Sequence, residues 1–138
     1  MDEIDCTCFN LRRAARTAGR FYDAVLAPIG LRNTQFSALA VLTQMGPTPI
    51  SQLAEVMDME RTTLTRNLKP LEREGLVEQT VGEDRRQRIV QLTRSGKSKY
   101  AKALTFWKEA NESAGQALGA TRTKRLLADL KATTARLS

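Results

Sequence analysis

The chain is most informative between Ile50 and Gly96, where it reads ISQLAEVMDMERTTLTRNLKPLEREGLVEQTVGEDRRQRIVQLTRSG. The spacing of its apolar residues predicts a short helix, a turn, and a second helix from about Arg61 to Glu74. Two short strands with alternating polarity follow, one on each side of a charged tip at Gly82–Gln87. A helix of this size fits a DNA major groove and a basic hairpin fits a minor groove, so the segment predicts a DNA-binding unit.

The second of these helices is amphipathic. Leu64, Leu68 and Leu71 fall on one face and are expected to enter the core. The opposite face carries the candidate DNA-contacting residues Thr62, Thr63, Thr65, Arg66 and Lys69. Threonine methyl groups can contact thymine, hydroxyl groups can bind bases or phosphates, and an arginine can hold a guanine edge. The alternative is an ordinary polar face in contact with solvent.

The hairpin tip supplies a second set of candidates, which are Asp84, Arg85, Arg86 and Arg88. A guanidinium on a two-stranded finger can enter a narrow minor groove, where the negative potential of DNA is strongest. We expect the Asp84 carboxylate to orient a neighbouring arginine through a charge-assisted hydrogen bond. A charged tip that only keeps the hairpin soluble is the alternative.

Helical spacing continues on both sides of this segment. It predicts helices over residues 7–27, 31–45, 94–118 and 121–137, with Thr34 and Thr93 as N-caps. The expected fold is mainly α, with about six helices and one β-hairpin. Apolar stripes on the terminal helices have no obvious partner in so small a core, which favours a homodimer. Packing of these helices on each other within a monomer is the alternative.

Composition excludes several classes of protein. The 138 residues carry a net charge of +7 with a pI near 9.9, which favours a polyanionic partner. There is no histidine, no phosphate-binding glycine loop and no run of acidic metal ligands. We therefore predict no catalytic residues, no metal site and no cofactor. No apolar run is long enough for a bilayer and the N-terminus is acidic, so we expect a cytoplasmic protein without membrane contact.

The motifs resemble the MarR family of winged helix-turn-helix transcriptional regulators. The matching residues are Gly30-Leu31, Gln35-Phe36, Leu39, Leu42, Gly46-Pro47, Leu53-Ala54, Met57, Arg61 to Arg66, Leu71 to Val77, Asp84-Arg85-Arg86, Leu92-Thr93 and Gly96. The wing motif Asp-x-Arg, here Asp84 and Arg86, is specific for the family. Glu60 departs from the pattern, because relatives often carry aspartate before the position of Arg61.

The resemblance implies a winged helix-turn-helix domain over residues 31–94. Residues 1–30 and 95–138 would form a helical dimerisation region. It also implies that residues 62–74 form the recognition helix and that Arg86 enters the minor groove. The expected function is sequence-specific binding of a pseudo-palindromic operator by a dimeric repressor, which an effector releases. A non-specific DNA-coating protein and a winged helix that binds only other proteins are the alternatives.

The N-terminal segment Cys6-Thr7-Cys8-Phe9 is a candidate redox sensor. We expect Cys8 to open the first helix, where the helix N-terminus and Arg12 both favour the thiolate. An oxidised Cys8 could then be captured by Cys6. The resemblance extends to the organic-hydroperoxide-sensing branch, whose sensing Cys-Phe and thiol-binding tyrosine match Cys8-Phe9 and Tyr22. Two further tyrosines of that branch are replaced here, by Arg12 and Asn33.

Three alternatives to redox sensing remain open. Cys8 could be an inert small residue at the dimer interface. Cys6 and Cys8 could bind a thiophilic metal if the dimer completed the site. The effector could instead be a small aromatic molecule in a pocket lined by Tyr22, Phe36 and Trp107, although aromatic residues at helical spacing more often form core.

Overall fold

The computed structural model describes residues 2–138, in which six α-helices surround a small antiparallel sheet. The helices are α1 (Thr7–Leu26), α2 (Asn33–Met45), α3 (Ile50–Val56), α4 (Arg61–Arg73), α5 (Arg94–Leu118) and α6 (Ala120–Leu137). Single 3-10 turns occur at Glu3–Asp5 and Ala27–Ile29. The strands are β1 (Thr48–Pro49), β2 (Val77–Val81) and β3 (Arg88–Leu92). The helices predicted from sequence are confirmed to within two residues at each end.

The sheet contains one more strand than predicted. The hairpin pairs β2 with β3, with Val77 opposite Leu92 and Gln79 opposite Val90. The additional strand, β1, lies on the other side of β3 and gives the order β1-β3-β2. The prediction of a hairpin alone was therefore incomplete, because a two-residue strand that ends in proline carries no alternating pattern.

The core lies where α2, α3, α4 and the sheet meet. Its largest fully buried side chains are Leu26, Leu39, Leu42, Leu53, Leu64, Leu68, Leu71 and Val90. The three leucines of α4 occupy one face of that helix, as their spacing predicts. Helix α4 continues through Pro70 to Arg73, and Gly75 then adopts a left-handed conformation with φ of 71°. The chain turns there into β2.

Asn33, the first residue of α2, hydrogen-bonds two residues of α1, namely Asp23 and, through Nδ2, the Gly19 carbonyl at 3.4 Å. Asp23 Oδ1 in α1 accepts hydrogen bonds from the backbone N–H of Asn33 at 2.7 Å and from Asn33 Nδ2 at 2.8 Å. Helix α2 begins at Asn33, and the Arg32 N–H donates to Gln35 Oε1 at 3.0 Å. The expectation that Thr34 caps this helix was wrong, because Thr34 already lies inside its first turn.

The end of α4, both hairpin strands and the start of α5 meet at one junction. Thr93 caps α5 as predicted, since its Oγ1 accepts the Gly96 N–H at 3.0 Å. The same hydroxyl donates to the Gly75 carbonyl at 2.5 Å, and the Thr93 N–H donates to the Leu76 carbonyl at 3.1 Å. Gly96 is buried against Leu76 so closely that a Cβ on Gly96 would lie 1.9 Å from that carbonyl oxygen. Only glycine fits this position without a backbone shift.

The terminal helices leave apolar surface exposed. Helix α1 packs along α5, and α6 contacts α5 near their shared corner. No residue of α6 is buried among the described residues 2–138. Its exposed apolar side chains are Leu126, Leu127, Leu130 and Leu137. The alternative in which the terminal helices bury each other within one chain leaves this stripe uncovered.

Replacement of Gly96 by alanine is expected to destabilise the fold. The added methyl group must displace the Leu76 carbonyl, and forced overpacking of this kind costs about 1–3 kcal/mol of unfolding free energy. Urea unfolding followed by circular dichroism measures the effect. Gly115→Ala is the matched control in the same helix, where nothing lies within 4 Å of the added Cβ. The control should gain about 0.5–1 kcal/mol from helix propensity. Equal stability of the two variants would contradict the close contact.

Candidate DNA-binding surface

The exposed face of α4 forms a shallow groove of about 390 Å³. Its lining residues are Arg61, Thr62, Thr65, Arg66 and Lys69. Four of the five residues predicted on this face therefore lie together. Thr63 is exposed but does not line the groove, because helical geometry places it on the flank of α4 opposite Thr65 and Arg61. Arg61 was missed by the prediction, although it precedes Thr65 by one helical turn and shares its face.

The threonines of this face differ in what they can offer a ligand. Thr65 Oγ1 donates its proton to the Arg61 carbonyl at 2.8 Å, within the helix. Its oxygen can still accept a hydrogen bond, and its methyl group stays available for apolar contact. Thr62 lies one turn before Arg66 and is exposed. Thr62 is therefore better suited to donate to a base or phosphate, and Thr65 to accept or to make apolar contact.

The wing tip is held by a compact set of hydrogen bonds. The Gly82 N–H donates to the Gln87 carbonyl at 2.9 Å, and the Gln87 N–H donates to the Asp84 carbonyl at 2.8 Å. Asp84 Oδ1 accepts the backbone N–H of Arg86 at 3.0 Å. The sequence predicted that the Asp84 carboxylate would hold an arginine guanidinium. It instead holds the backbone N–H of Arg86. The bond fixes the turn from which the Arg86 side chain projects.

A cleft of about 180 Å³ connects the wing to the recognition helix. Its lining residues are Ile50, Ser51, Arg61, Asp84, Arg86, Gln87 and Arg88. Three elements therefore converge here, namely the start of α3, the start of α4 and the wing. Arg61 lines both the cleft and the groove on α4, so the two form one continuous surface. Arg85 is exposed and lies outside the cleft.

The cysteines flank the start of α1 in an arrangement that differs from the prediction. The helix opens at Thr7, and Cys6 is its N-cap, with Sγ accepting the Phe9 N–H at 3.3 Å. The expectation that Cys8 opens the helix was therefore wrong by one residue. Cys8 lies in the first turn with an exposed side chain, and both thiols are free. The Arg13 guanidinium lies 5.7 Å from the centre of the Phe9 ring, a cation–π distance.

Tyr22 lies far from both thiols of its own chain. It follows Cys8 by 14 residues in the same helix, which corresponds to about 21 Å. Its hydroxyl donates to Asn111 Oδ1 of α5 at 3.0 Å, and burial raises the pKa of this phenol above its ordinary value. Within one chain the structure therefore does not bring Tyr22 to the cysteines. In the described part of the chain no group of three or more His, Cys, Asp or Glu residues could hold a metal ion.

Tyr22 instead borders a cavity of about 250 Å³ between α1, α2 and α5. Phe36 and Trp107 also line it, together with the polar side chains of Asn33 and Ser37. Phe36 stacks on Trp107 with ring centres 5.8 Å apart, and on Tyr100 with ring centres 5.5 Å apart. The three aromatic residues proposed for a ligand pocket therefore do lie together, and Phe36 also serves the core.

Comparisons with known proteins agree with this architecture. The MarR family model matches residues 31–87. An uncharacterized HTH-type transcriptional regulator of Bacillus subtilis, YwoH, is 33% identical over 103 residues, which are 72% of this chain and 75% of YwoH. The chain belongs to the MarR family. It is a DNA-binding transcriptional regulator with a winged-helix fold, and it is not an enzyme.

Solved structures of MarR-family proteins superpose over nearly the whole chain. The M. tuberculosis transcriptional regulator MosR in complex with DNA is 41% identical, with a TM-score of 0.82, and the match covers 95% of this chain and 98% of MosR. A variant of E. coli MarR complexed with operator DNA has a TM-score of 0.82 at 22% identity and covers 96% of this chain and 99% of that one. The second likeness concerns the fold alone.

The positive charge of this surface comes from how its arginines are grouped and not from an excess of basic residues in residues 31–94. Residues 31–94 hold nine Lys and Arg against eight Asp and Glu, whereas residues 95–138 hold nine against three. Most of the net charge of +7 therefore lies on the two C-terminal helices and not in the predicted DNA-binding domain. The surface is positive because α4 and the wing group their arginines on one side. No helix in residues 2–138 is long and apolar enough to cross a membrane.

Proposed function

We propose that this chain acts in the cytoplasm as a homodimeric repressor that binds a pseudo-palindromic operator. The observation that carries the proposal is the continuous surface formed by the α4 groove and the wing cleft, which share Arg61. A helix face and a basic finger on one side of the molecule match adjacent major and minor grooves. The likeness to MosR in complex with DNA supports the same use of this surface.

We assign each predicted contact residue its own contact with DNA. Arg66 and Lys69 project from the middle of α4 and would contact guanine edges or flanking phosphates. Thr62 and Thr65 would contact bases through hydroxyl and methyl groups. Thr63, at the margin of the face, would contact at most a phosphate. Among the wing residues, Arg86 would enter the minor groove, while Asp84 holds its backbone and Arg85 and Arg88 contribute charge near the DNA backbone.

Replacement of Arg86 by alanine removes one arginine contact from each half-site and should weaken operator binding by at least roughly ten- to a hundredfold, the loss expected for a single specific contact. Fluorescence anisotropy with a labelled operator at fixed salt measures the change. Arg20→Ala is the control, since Arg20 is an exposed arginine of α1 whose side chain, within residues 2–138, hydrogen-bonds only Thr17 of the preceding helical turn. Unchanged affinity in Arg86→Ala would refute the wing assignment.

The same assay separates sequence-specific binding from non-specific coating of DNA. A specific regulator keeps its operator when random DNA is added in large excess, because specific sites bind about a thousandfold or more tighter. Loss of the operator to a modest excess of random DNA would favour the coating alternative.

The proposed dimer places its contacts on the terminal helices. The uncovered leucine stripe of α6 needs a partner, and a second copy of this chain would cover it through a two-fold axis. Two recognition helices would then enter successive major grooves about 34–36 Å apart on one face of the operator. This spacing is what makes the expected operator pseudo-palindromic.

Placing a charge in the leucine stripe should break the dimer. Leu127 is 53% exposed in the single chain, and Leu127→Glu would bury an unpaired carboxylate at the interface. Sedimentation equilibrium is expected to give about twice 15.4 kDa for the wild type and the single-chain mass for the variant. Arg125→Glu is the control, because helical geometry places position 125 on the opposite face of α6. A variant that remains dimeric would exclude this stripe from the interface.

We infer that thiol oxidation releases the repressor, in the manner of the organic-hydroperoxide-sensing branch. The Cys8 thiolate would attack the O–O bond of a hydroperoxide, ROOH, to give the sulfenic acid and an alkoxide that leaves as the alcohol ROH after taking up a proton. The Cys6 thiol would then displace the sulfenic oxygen as water and form a disulfide, within the chain or with the partner copy.

The position of Cys6 gives this oxidation a structural consequence. Cys6 Sγ accepts the Phe9 N–H and caps α1, so recruitment of that sulfur into a disulfide with Cys8 removes the cap. The first turn of α1 must then rearrange, at the end of a helix that belongs to the proposed dimerisation region. Tyr22 takes part only if the partner copy brings it to these thiols, because its own chain holds it at Asn111.

Exposure to a mild hydroperoxide should abolish operator binding by the wild type and leave Cys8→Ser bound. Cys6→Ser should stop at the sulfenic acid, which a dimedone adduct detects by mass spectrometry. Non-reducing electrophoresis distinguishes a disulfide within the chain from one between chains. Equal loss of binding in the wild type and in Cys8→Ser would rule out this thiol. Insensitivity of both would favour an effector in the cavity lined by Tyr22, Phe36 and Trp107.

A further inference from the structure

We propose that the cleft between α4 and the wing binds one phosphate of the DNA backbone, with Arg61 and Arg88 as its cationic ligands and Ser51 as a hydroxyl ligand. Arg61 and Ser51 were not predicted from the sequence as contact residues. The inference rests on the proposed use of α4 in the major groove and of Arg86 in the minor groove. It assigns a positioning role to residues that would touch no base.

The topology of a DNA duplex leads to this assignment. A major groove and the adjacent minor groove are separated by one sugar-phosphate strand. If α4 occupies the first groove and the wing tip the second, that strand must pass between them. The space between them is the cleft, whose walls are the start of α4, the start of α3 and the wing. Arg86 extends from the cleft into the minor groove, and the other side chains that line the cleft therefore face phosphate oxygens and not base edges.

The size and charge of the cleft suit a single phosphate group. Its volume is about 180 Å³, several times the roughly 30 Å³ that one water molecule occupies in the liquid. Its lining residues include three arginines and one aspartate, which give a net charge of +2. The carboxylate, Asp84, is already engaged with the Arg86 N–H. With Arg86 directed into the minor groove, Arg61 and Arg88 remain on the two sides of the cleft.

The start of α4 adds to the attraction. Glu60 occupies its N-cap position, and among the described residues its side chain makes no capping hydrogen bond. The first-turn N–H groups of this 13-residue helix therefore lack the acceptor that aspartate would supply at this position. An anion beside Arg61 would also meet the positive end of the helix dipole. The departure from the family pattern at Glu60 thus lies next to the proposed phosphate site.

The defining experiment compares Arg61→Gln with Arg86→Ala and with Arg66→Gln. Operator affinity is measured over a series of salt concentrations. The variant loses one phosphate contact in each half-site, so the slope of log K against log [salt] should fall by about 1.8 per dimer, or about 0.9 per contact, and discrimination between operator variants should stay unchanged. Arg66→Gln, from the base-facing groove, should instead change the preference among operator sequences. An unchanged salt slope in Arg61→Gln would overturn the inference.

Neutral methylphosphonate substitutions in the operator locate the contact. One position in each half-site should weaken binding by the wild type and have no further effect on Arg61→Gln, because the same contact has already been lost. Additive losses at every position would refute the assignment. Inorganic phosphate, titrated at constant ionic strength, tests the other source of the anion. We expect no displacement of the operator beyond that caused by chloride, and selective displacement from the wild type would assign the cleft to a free anion instead.

The phosphate site and the proposed use of α4 and the wing can be refuted by different results. Normal operator binding by Arg86→Ala would refute the placement of Arg86 in the minor groove, on which the phosphate site depends. Weak binding by Arg86→Ala together with a wild-type salt slope in Arg61→Gln would retain the proposed function and reject only the phosphate site. Arg61 is exposed, and its contact with Thr65 uses the backbone carbonyl, so Arg61→Gln should keep the wild-type melting temperature.

Discussion

The contact between Gly96 and the Leu76 carbonyl is the constraint on which the arrangement of the DNA-binding surface depends. Four elements meet within a few residues of it, because α4 ends, β2 begins, β3 ends and α5 begins there. Thr93 fastens the junction with one hydroxyl that both accepts from Gly96 and donates to Gly75. The orientation of the wing relative to the recognition helix is therefore fixed at the base of the hairpin. The tip needs only its own local hydrogen bonds.

The junction also explains why the sequence predicts this part of the molecule well. Apolar spacing identifies α4, Gly75 marks its end, and Thr93 marks the start of α5, so each boundary carries a local chemical signal. The fold class follows from these boundaries together with the wing motif. What the sequence does not reveal is β1, since a strand of two residues ending in Pro49 has neither length nor alternation. Its pairing with β3 depends on tertiary position alone.

In the candidate site, too, local sequence patterns predict some residues, whereas others depend on tertiary position. Thr62, Thr65, Arg66 and Lys69 could be predicted because one helical period places them opposite the leucines. Arg61 shares that period, but its importance depends on the wing lying beside it, which no local pattern records. Similarly, Asp84 was expected to bind a guanidinium and binds a backbone amide, because side-chain hydrogen bonds in a tight turn depend on the turn geometry. The cap formed by Cys6 was missed because sulfur is a weak acceptor and a rare N-cap.

The link between Asp23 and Asn33 has a mechanical consequence for communication along the molecule. Helix α1 spans 20 residues, about 30 Å, with the cysteines at one end and Asp23 close to the other. Asp23 joins it to the first residue of α2 through two hydrogen bonds, and packing along α5 limits how far the helix can tilt. A tilt of about 5° around Asp23 displaces the cysteine end by roughly 2 Å over the length of the helix. A larger tilt would have to shift the start of α2 or break the hydrogen bonds from Asn33 to Asp23 and Gly19.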